Sequence, residues 1–133
     1  MTPSLHTSTL LVTQADTAEA LGSGDLPVLA TPRMMALMEN AAMLAVADQL
    51  ESGQTTVGAE ICVKHLRPTP TGAVVTATAV LTAAEGRKLS FSISAHQDGT
   101  LIGEGTHTRF IVDARKFLSK LQASPANAAG PAV

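Results

Sequence analysis

The chain has 133 residues, 45% of them hydrophobic and 15% charged, with a net charge of −2, a size that suits one domain with its own core. That charge argues against general nucleic-acid binding, and the single cysteine, Cys62, excludes an internal disulfide and fits a reducing, cytoplasmic setting. No basic segment followed by an apolar run opens the chain, and its longest apolar run is too short to span a bilayer, so neither secretion nor membrane insertion is expected.

With no Trp or Tyr and only three Phe, the core must be built from aliphatic side chains, Met and Ala. Leu5 to Thr13 reads as a first strand. Residues 14–30 are rich in Ala, Gly, Asp, Ser and Thr, contain no aromatic residue and read as a connection. A long helix follows from about Thr31, with Thr31 suited to the N-cap and Pro32 to the first helical position. Between Met34 and Ala47 its only charged side chain is Glu39, so the helix is expected to be buried almost all round. Four strand-like segments succeed it: Val57–Arg67, Ala73–Ala83, Lys88–His96 and Leu101–Val112. Glu85-Gly86 and Asp98-Gly99 mark hairpin turns between the later strands. Asp113 caps a short helix to Leu121, which closes a single domain over residues 1–121. Residues 122–133 are Ala, Pro and Gly without periodicity and read as a disordered tail. Short connections favour antiparallel neighbours, so the expected fold is α+β, an antiparallel β-sheet wrapped around a long central α-helix. The exposed sheet edges leave room for a dimer.

Glu39 is the residue that most needs an explanation. Its helical neighbours at three and four residues, Met35, Ala36, Ala42 and Met43, cannot pair a carboxylate, which makes it a candidate base or nucleophile. His65 lies on the side of its strand that carries Ile61 and Val63 and is expected to face the helix and Glu39. On the same alternation Gly58 and Cys62 fall on the opposite side, so a Cys–His nucleophile pair is disfavoured. Gly58 is a candidate backbone donor to a ligand, or else a kink in the strand. Arg109 shares a strand side with His107, Gly103, Gly105 and Ile111, and is placed to pair with Glu39 or hold a phosphate, or else to be a solvated surface residue. Charge is unevenly spread: one base against seven acids through Val63, eight bases against four acids from Lys64 onward. That split reads either as solvated faces or as a basic surface for a phosphorylated ligand. The sequence carries no phosphate-loop pattern, dinucleotide fingerprint or metal-ligand spacing, so neither a metal nor a cofactor is expected.

Four segments, Ala30-Thr31…Leu37-Met38-Glu39, Ile61-Cys62-Val63-Lys64-His65, Glu85-Gly86-Arg87-Lys88-Leu89-Ser90 and Gly103-Glu104-Gly105-Thr106-His107-Thr108-Arg109, resemble those of the hotdog-fold thioesterases of the fluoroacetyl-CoA type, over about residues 28–121. The resemblance implies a hotdog fold, a homodimer with active sites near the subunit interface, and hydrolysis of an acyl-CoA to a carboxylic acid and free CoA. It implies Thr31, Glu39 and His65 as the catalytic set and puts Gly58 and Arg109 where family members contact substrate. CoA enters only as part of the substrate. The segment before Thr31 lacks the phenylalanine lid of the fluoroacetyl specialists and has Leu26 and Leu29 in that area, which points to another short or medium acyl-CoA. The alternatives are a non-catalytic hotdog module that binds acyl-CoA or a small apolar acid, and a lyase on the same fold.

Overall fold

A computed structural model describes residues 1–123. The helix α2, Thr31–Val46, buries Met34, Leu37, Met38, Ala41, Ala42, Ala45 and Val46, residues spaced along one broad stripe. Each fully buried Met or Leu is worth about 2 kcal/mol. The sequence leads one to expect a helix buried all round, but only one side is covered by the chain itself. Ala36 and Asn40 are exposed, Met35 and Glu39 half-buried, and Met43 and Leu44 are 36% and 40% exposed. The cap also differs from expectation. Ala30 is the N-cap and offers no side-chain hydrogen bond, Thr31 is the first helical residue, and Pro32 follows it. Pro32 is tolerated there because N–H groups of the first turn have no partner within the helix. Thr31 is thus released from capping.

The strands β1 (Leu5–Leu11), β2 (Gln54–His65), β3 (Val74–Glu85), β4 (Lys88–Gln97) and β5 (Thr100–Asp113) form one antiparallel sheet in the order β1-β3-β4-β5-β2. Asp98 and Gly99, with φ of 48° and 78°, make the two-residue turn from β4 to β5. The inward residues Leu89, Phe91, Ile93 and Ala95 of β4 join Val75, Ala77, Ala79 and Leu81 of β3 in the core against α2. The helix lies chiefly over β1 and β3, and inward residues of β2 such as Ile61 and Val63 remain only partly buried. After β5, the helix α3 (Ala114–Ala123) starts with the Lys116 backbone N–H donating to Asp113 Oδ1 at 2.9 Å, the cap expected from the sequence. It runs past Leu121 to Ala123, and the rest of the expected tail lies outside the described residues.

A β-bulge divides β2. Gly58 pairs with Arg109 and Glu60 with Thr108, so Ala59 is the extra residue. The insertion shifts the alternation by one. Gly58 therefore faces inward together with His65, whereas a regular strand would put them on opposite sides. Cys62 stays exposed, away from His65.

Between β1 and α2 the chain forms a short 3₁₀ turn (Gln14–Asp16) and the helix α1 (Ala18–Leu21), then returns beside the β2–β3 connection through the bridges Thr17–Leu29 and Val28–Pro70. Asp16 pins this strap to α2. Its carboxylate accepts from the Thr13 N–H at 2.8 Å, the Thr13 hydroxyl at 3.0 Å and Arg33 Nε at 2.9 Å. These partners, the Thr13 N–H first, hold the acid below its ordinary value of 3.8 against the opposing effect of burial. A carboxylate depressed in the folded state stabilises fully above its unfolded value and loses that contribution as pH falls through the folded one. Asp16→Asn should cost about 1 kcal/mol near neutral pH, as the loss of a helix cap does, and the difference from wild type should close in strong acid. Thermal unfolding followed from pH near neutral down to the acid limb measures both; a difference independent of pH would contradict it.

Candidate active site

Two groups of side chains stand at opposite ends of β2. At its C-terminal end, Thr31 Oγ1 lies 2.8 Å from His65 Nδ1. The start of α2 thus meets the end of β2, where Gly103 of β5 pairs with His65. Burial pushes the His65 imidazole below its ordinary value, only partly offset by the Arg67 main chain, so the ring rests neutral. Its other nitrogen, Nε2, is buried with no hydrogen-bond partner among the described residues. A cavity of about 300 Å³ beside the pair is lined by Val28, Leu29, Leu66 and Arg67.

Toward the other end, Glu39 meets Gly58. A Cβ on Gly58 would stand 3.0 Å from Glu39 Oε2, 3.3 Å from His107 Cε1 and 3.4 Å from Arg109 Nη1, so only glycine leaves these groups their places. Arg109 is not a surface residue. It is 7% exposed, and its guanidinium donates from Nε to Thr56 Oγ1 and from Nη2 to the Thr56 carbonyl, both at 2.9 Å. Burial lowers its proton affinity and the Glu39 carboxylate works against that, although a guanidinium keeps its charge throughout. His107, 2% exposed, completes the clamp. Its Nδ1 lies 2.7 Å from the Glu60 carbonyl, which can only accept, so Nδ1 carries the proton. Nε2 is then the acceptor for Arg109 Nη1 at 3.2 Å. Desolvation, with Arg109 assisting, lowers the His107 value and keeps this tautomer neutral.

Within the chain Thr31 meets His65, and Glu39 stands at Gly58 near Arg109 without a hydrogen bond or ion pair to it; no hydrogen bond links Glu39 to His65 either. Eight residues of α2 separate Thr31 from Glu39, about 12 Å along the axis, and His65 is about 20 Å along β2 from Gly58. Thr56 and His107 were not legible as site residues. Their link to Arg109 depends on the register of β2 against β5, and the sole signal was that residues 107 and 109 share a strand side. Among the described residues no group of His, Cys, Asp and Glu could hold a metal ion. None of the described helices is long and apolar enough to cross a membrane.

A five-stranded antiparallel sheet on one long helix is the architecture of the hotdog-fold thioesterases. Residues 12–115 match the family described as fluoroacetyl-CoA-specific thioesterase. The fluoroacetyl-CoA thioesterase of Streptantibioticus cattleyicolor is 46% identical over 100 residues, covering 74% of this chain and 72% of that protein. Among solved structures, a variant of the fluoroacetyl-CoA-specific thioesterase superposes with a TM-score of 0.85 at 38% identity, over 92% of this chain and 96% of the other. A second variant, in complex with acetyl-CoA, gives 0.87 at 37% identity over 94% and 100% of the chains. A thioesterase superfamily member from Thermus thermophilus shares the fold, with a TM-score of 0.86 at 24% identity over 96% and 94%. The chain belongs to the fluoroacetyl-CoA-specific thioesterase family, and it is a thioester hydrolase.

Proposed function

We propose that the chain hydrolyses a short or medium acyl-CoA with Thr31, Glu39 and His65, and that it does so as a homodimer whose two copies meet along β2. The packing of the Glu39 carboxylate and the Arg109 guanidinium around Gly58 carries this reading, because it leaves an uncluttered backbone position between an acid and a cation. Among the described residues β2 is an edge of the sheet with no strand paired on its free side, and the half-exposed face of α2 around Met35, Glu39 and Met43 adjoins it. Two antiparallel β2 edges with their two-fold axis beside Ile61 and Cys62 would lay His65 of one copy opposite the partner's Gly58. The orphaned His65 Nε2 would then face the partner's Glu39, which answers an otherwise unexplained buried polar atom.

In this arrangement His65 donates from Nδ1 to Thr31 Oγ1, which frees the threonine O–H to orient the acyl carbonyl. Glu39 acts on that carbonyl, either as a base that takes a proton from the attacking water or as the nucleophile itself. His65 Nε2, an acceptor in this tautomer, takes on the proton that the facing Glu39 removes from the attacking water and passes it to the departing sulfur as the carbon–sulfur bond breaks. If Glu39 attacks as the nucleophile, the sulfur leaves as thiolate and water supplies its proton. Gly58 and Arg109 hold the acyl end. The segment ahead of Thr31 has no aromatic residue, and the cavity beside the Thr31–His65 pair has aliphatic walls in Val28, Leu29 and Leu66. Those walls favour alkyl acyl groups over fluoroacetyl.

Thiol release from a panel of acyl-CoAs tests the reaction, and complementation tests the shared site. Glu39→Gln and His65→Asn homodimers should each be nearly inactive, while re-assembly of an equal mixture should restore about a quarter of wild-type activity, since half the dimers then carry one intact site. A mixture that stays inactive while forming mixed dimers would place each site within one chain.

A further inference from the structure

We propose that the groove between α3 and the turn joining β3 to β4 binds the nucleotide end of coenzyme A; this rests on the reading that the substrate is an acyl-CoA. The groove has a cavity of about 640 Å³, lies around the end of the sheet and is lined by Arg87 on one side and Lys116 and Lys120 on the other. The two lysines are four residues apart on α3 and so share a helix face. Arg87 is held in place, its Nη1 donating to the Ile111 carbonyl at 3.2 Å. Lys88 stands opposite Phe110 in the ladder and adds a further positive charge close by. Of the acids at the rim, Glu51 and Asp113, the second already gives an oxygen to the first turn of α3.

The apolar part of the groove is equally specific. The protein has three phenylalanines, and two of them, Phe110 and Phe117, line this cavity at 37% and 39% exposure. Exposed aromatic faces next to fixed cations are the chemistry that holds a purine base and its phosphates. An acyl chain would gain nothing from the cations, and an acidic peptide would gain little from the rings. The placement also fits. Gln54 and Ile111 line the groove and stand two residues along β2 and β5 from Thr56 and Arg109, about 7 Å. An extended pantetheine arm easily spans the gap from the thioester at Glu39 to phosphates at Lys116 and Lys120. The excess of bases after Lys64 thereby acquires a role, with Arg87, Lys88, Arg115, Lys116 and Lys120 gathered around one end of the sheet.

The test measures binding of CoA and of dephospho-CoA to the full chain by calorimetry, alongside hydrolysis of acyl-CoA and acyl-pantetheine. Lys116→Glu with Lys120→Glu should weaken CoA binding about tenfold, raise KM for acyl-CoA by a similar factor, and narrow the preference for CoA over dephospho-CoA. The milder Lys116→Gln with Lys120→Gln should show the same pattern with a smaller loss, and both lysines are exposed, so folding is spared. The loss should vanish for acyl-pantetheine, which lacks the nucleotide. Unaltered CoA binding in the double variants, or an equal loss on acyl-pantetheine, would overturn the assignment. A wild-type chain that binds CoA through these lysines yet hydrolyses no acyl-CoA would sink the hydrolytic reading and leave the groove standing.

Discussion

Replacing Glu39 by Gln should lower acyl-CoA turnover about 10²–10⁴-fold, the usual weight of a positioned base, with KM and thermal stability close to wild type. The amide has the shape of the acid, so it fits the space against Gly58 where Oε2 lies 3.0 Å from the position a Cβ would take. What it loses is the ability to accept a proton or attack a carbonyl. Glu39 is half-buried and makes no hydrogen bond among the described residues, so its charge serves the fold only through its attraction for the buried Arg109, which keeps its own hydrogen bonds to Thr56. Steady-state thiol release with acetyl-CoA and the best panel substrate, set beside the melting curve, separates the two effects. An undiminished rate in a folded variant would take the acid out of the chemistry.

Gly105→Ala is expected to be the most damaging small substitution in the sheet, at about 3 kcal/mol, the upper end of the usual range for overpacking. A Cβ at Gly105 would fall on the Cys62 carbonyl oxygen and within 2.8 Å of Val63 Cα, and neither can retreat without parting β5 from β2. Gly103 offers the contrast. There the new carbon would meet the end of the Met34 side chain at 2.6 Å and 2.7 Å, where a flexible thioether can swing aside, and the nearest backbone atom, the Lys64 carbonyl oxygen, stands at 3.3 Å and need give only slightly. Gly103→Ala should therefore cost about 1 kcal/mol. Denaturant midpoints for the two variants measure the difference, and equal losses would contradict the distinction between backbone and side-chain obstruction.

Much of this molecule was legible because local signals and the global fold agree. Leu89, Phe91, Ile93 and Ala95 alternate in the sequence and are all buried in the sheet. Asp98-Gly99 turns as its composition demands, and Asp113 caps α3. The cap at Thr31 was misplaced by one residue because capping preference reads a hydroxyl without knowing its competitors; here His65 takes it. Burial of α2 was overstated, since composition cannot tell a face covered by the same chain from one left to be covered otherwise. The expected facing of Glu39 and His65 left open which subunit supplies the histidine; within the chain Glu39 stands at Gly58, about 20 Å along β2 from His65. The side of Gly58 was misjudged because nothing in Val57-Gly58-Ala59-Glu60 announces an extra residue. The clamp of Thr56 and His107 on Arg109 follows from that same unannounced register.

That single surplus residue makes spacing as binding a constraint on this protein as identity. Removing Ala59 would alter no reactive group, yet it would turn Gly58 and Thr56 to the solvent side, strip Arg109 of its anchors and leave His65 where it was. Relatives with every key residue but one position fewer here would keep the letters of the site and lose its shape, so their activity should be judged by counting along this strand before matching side chains.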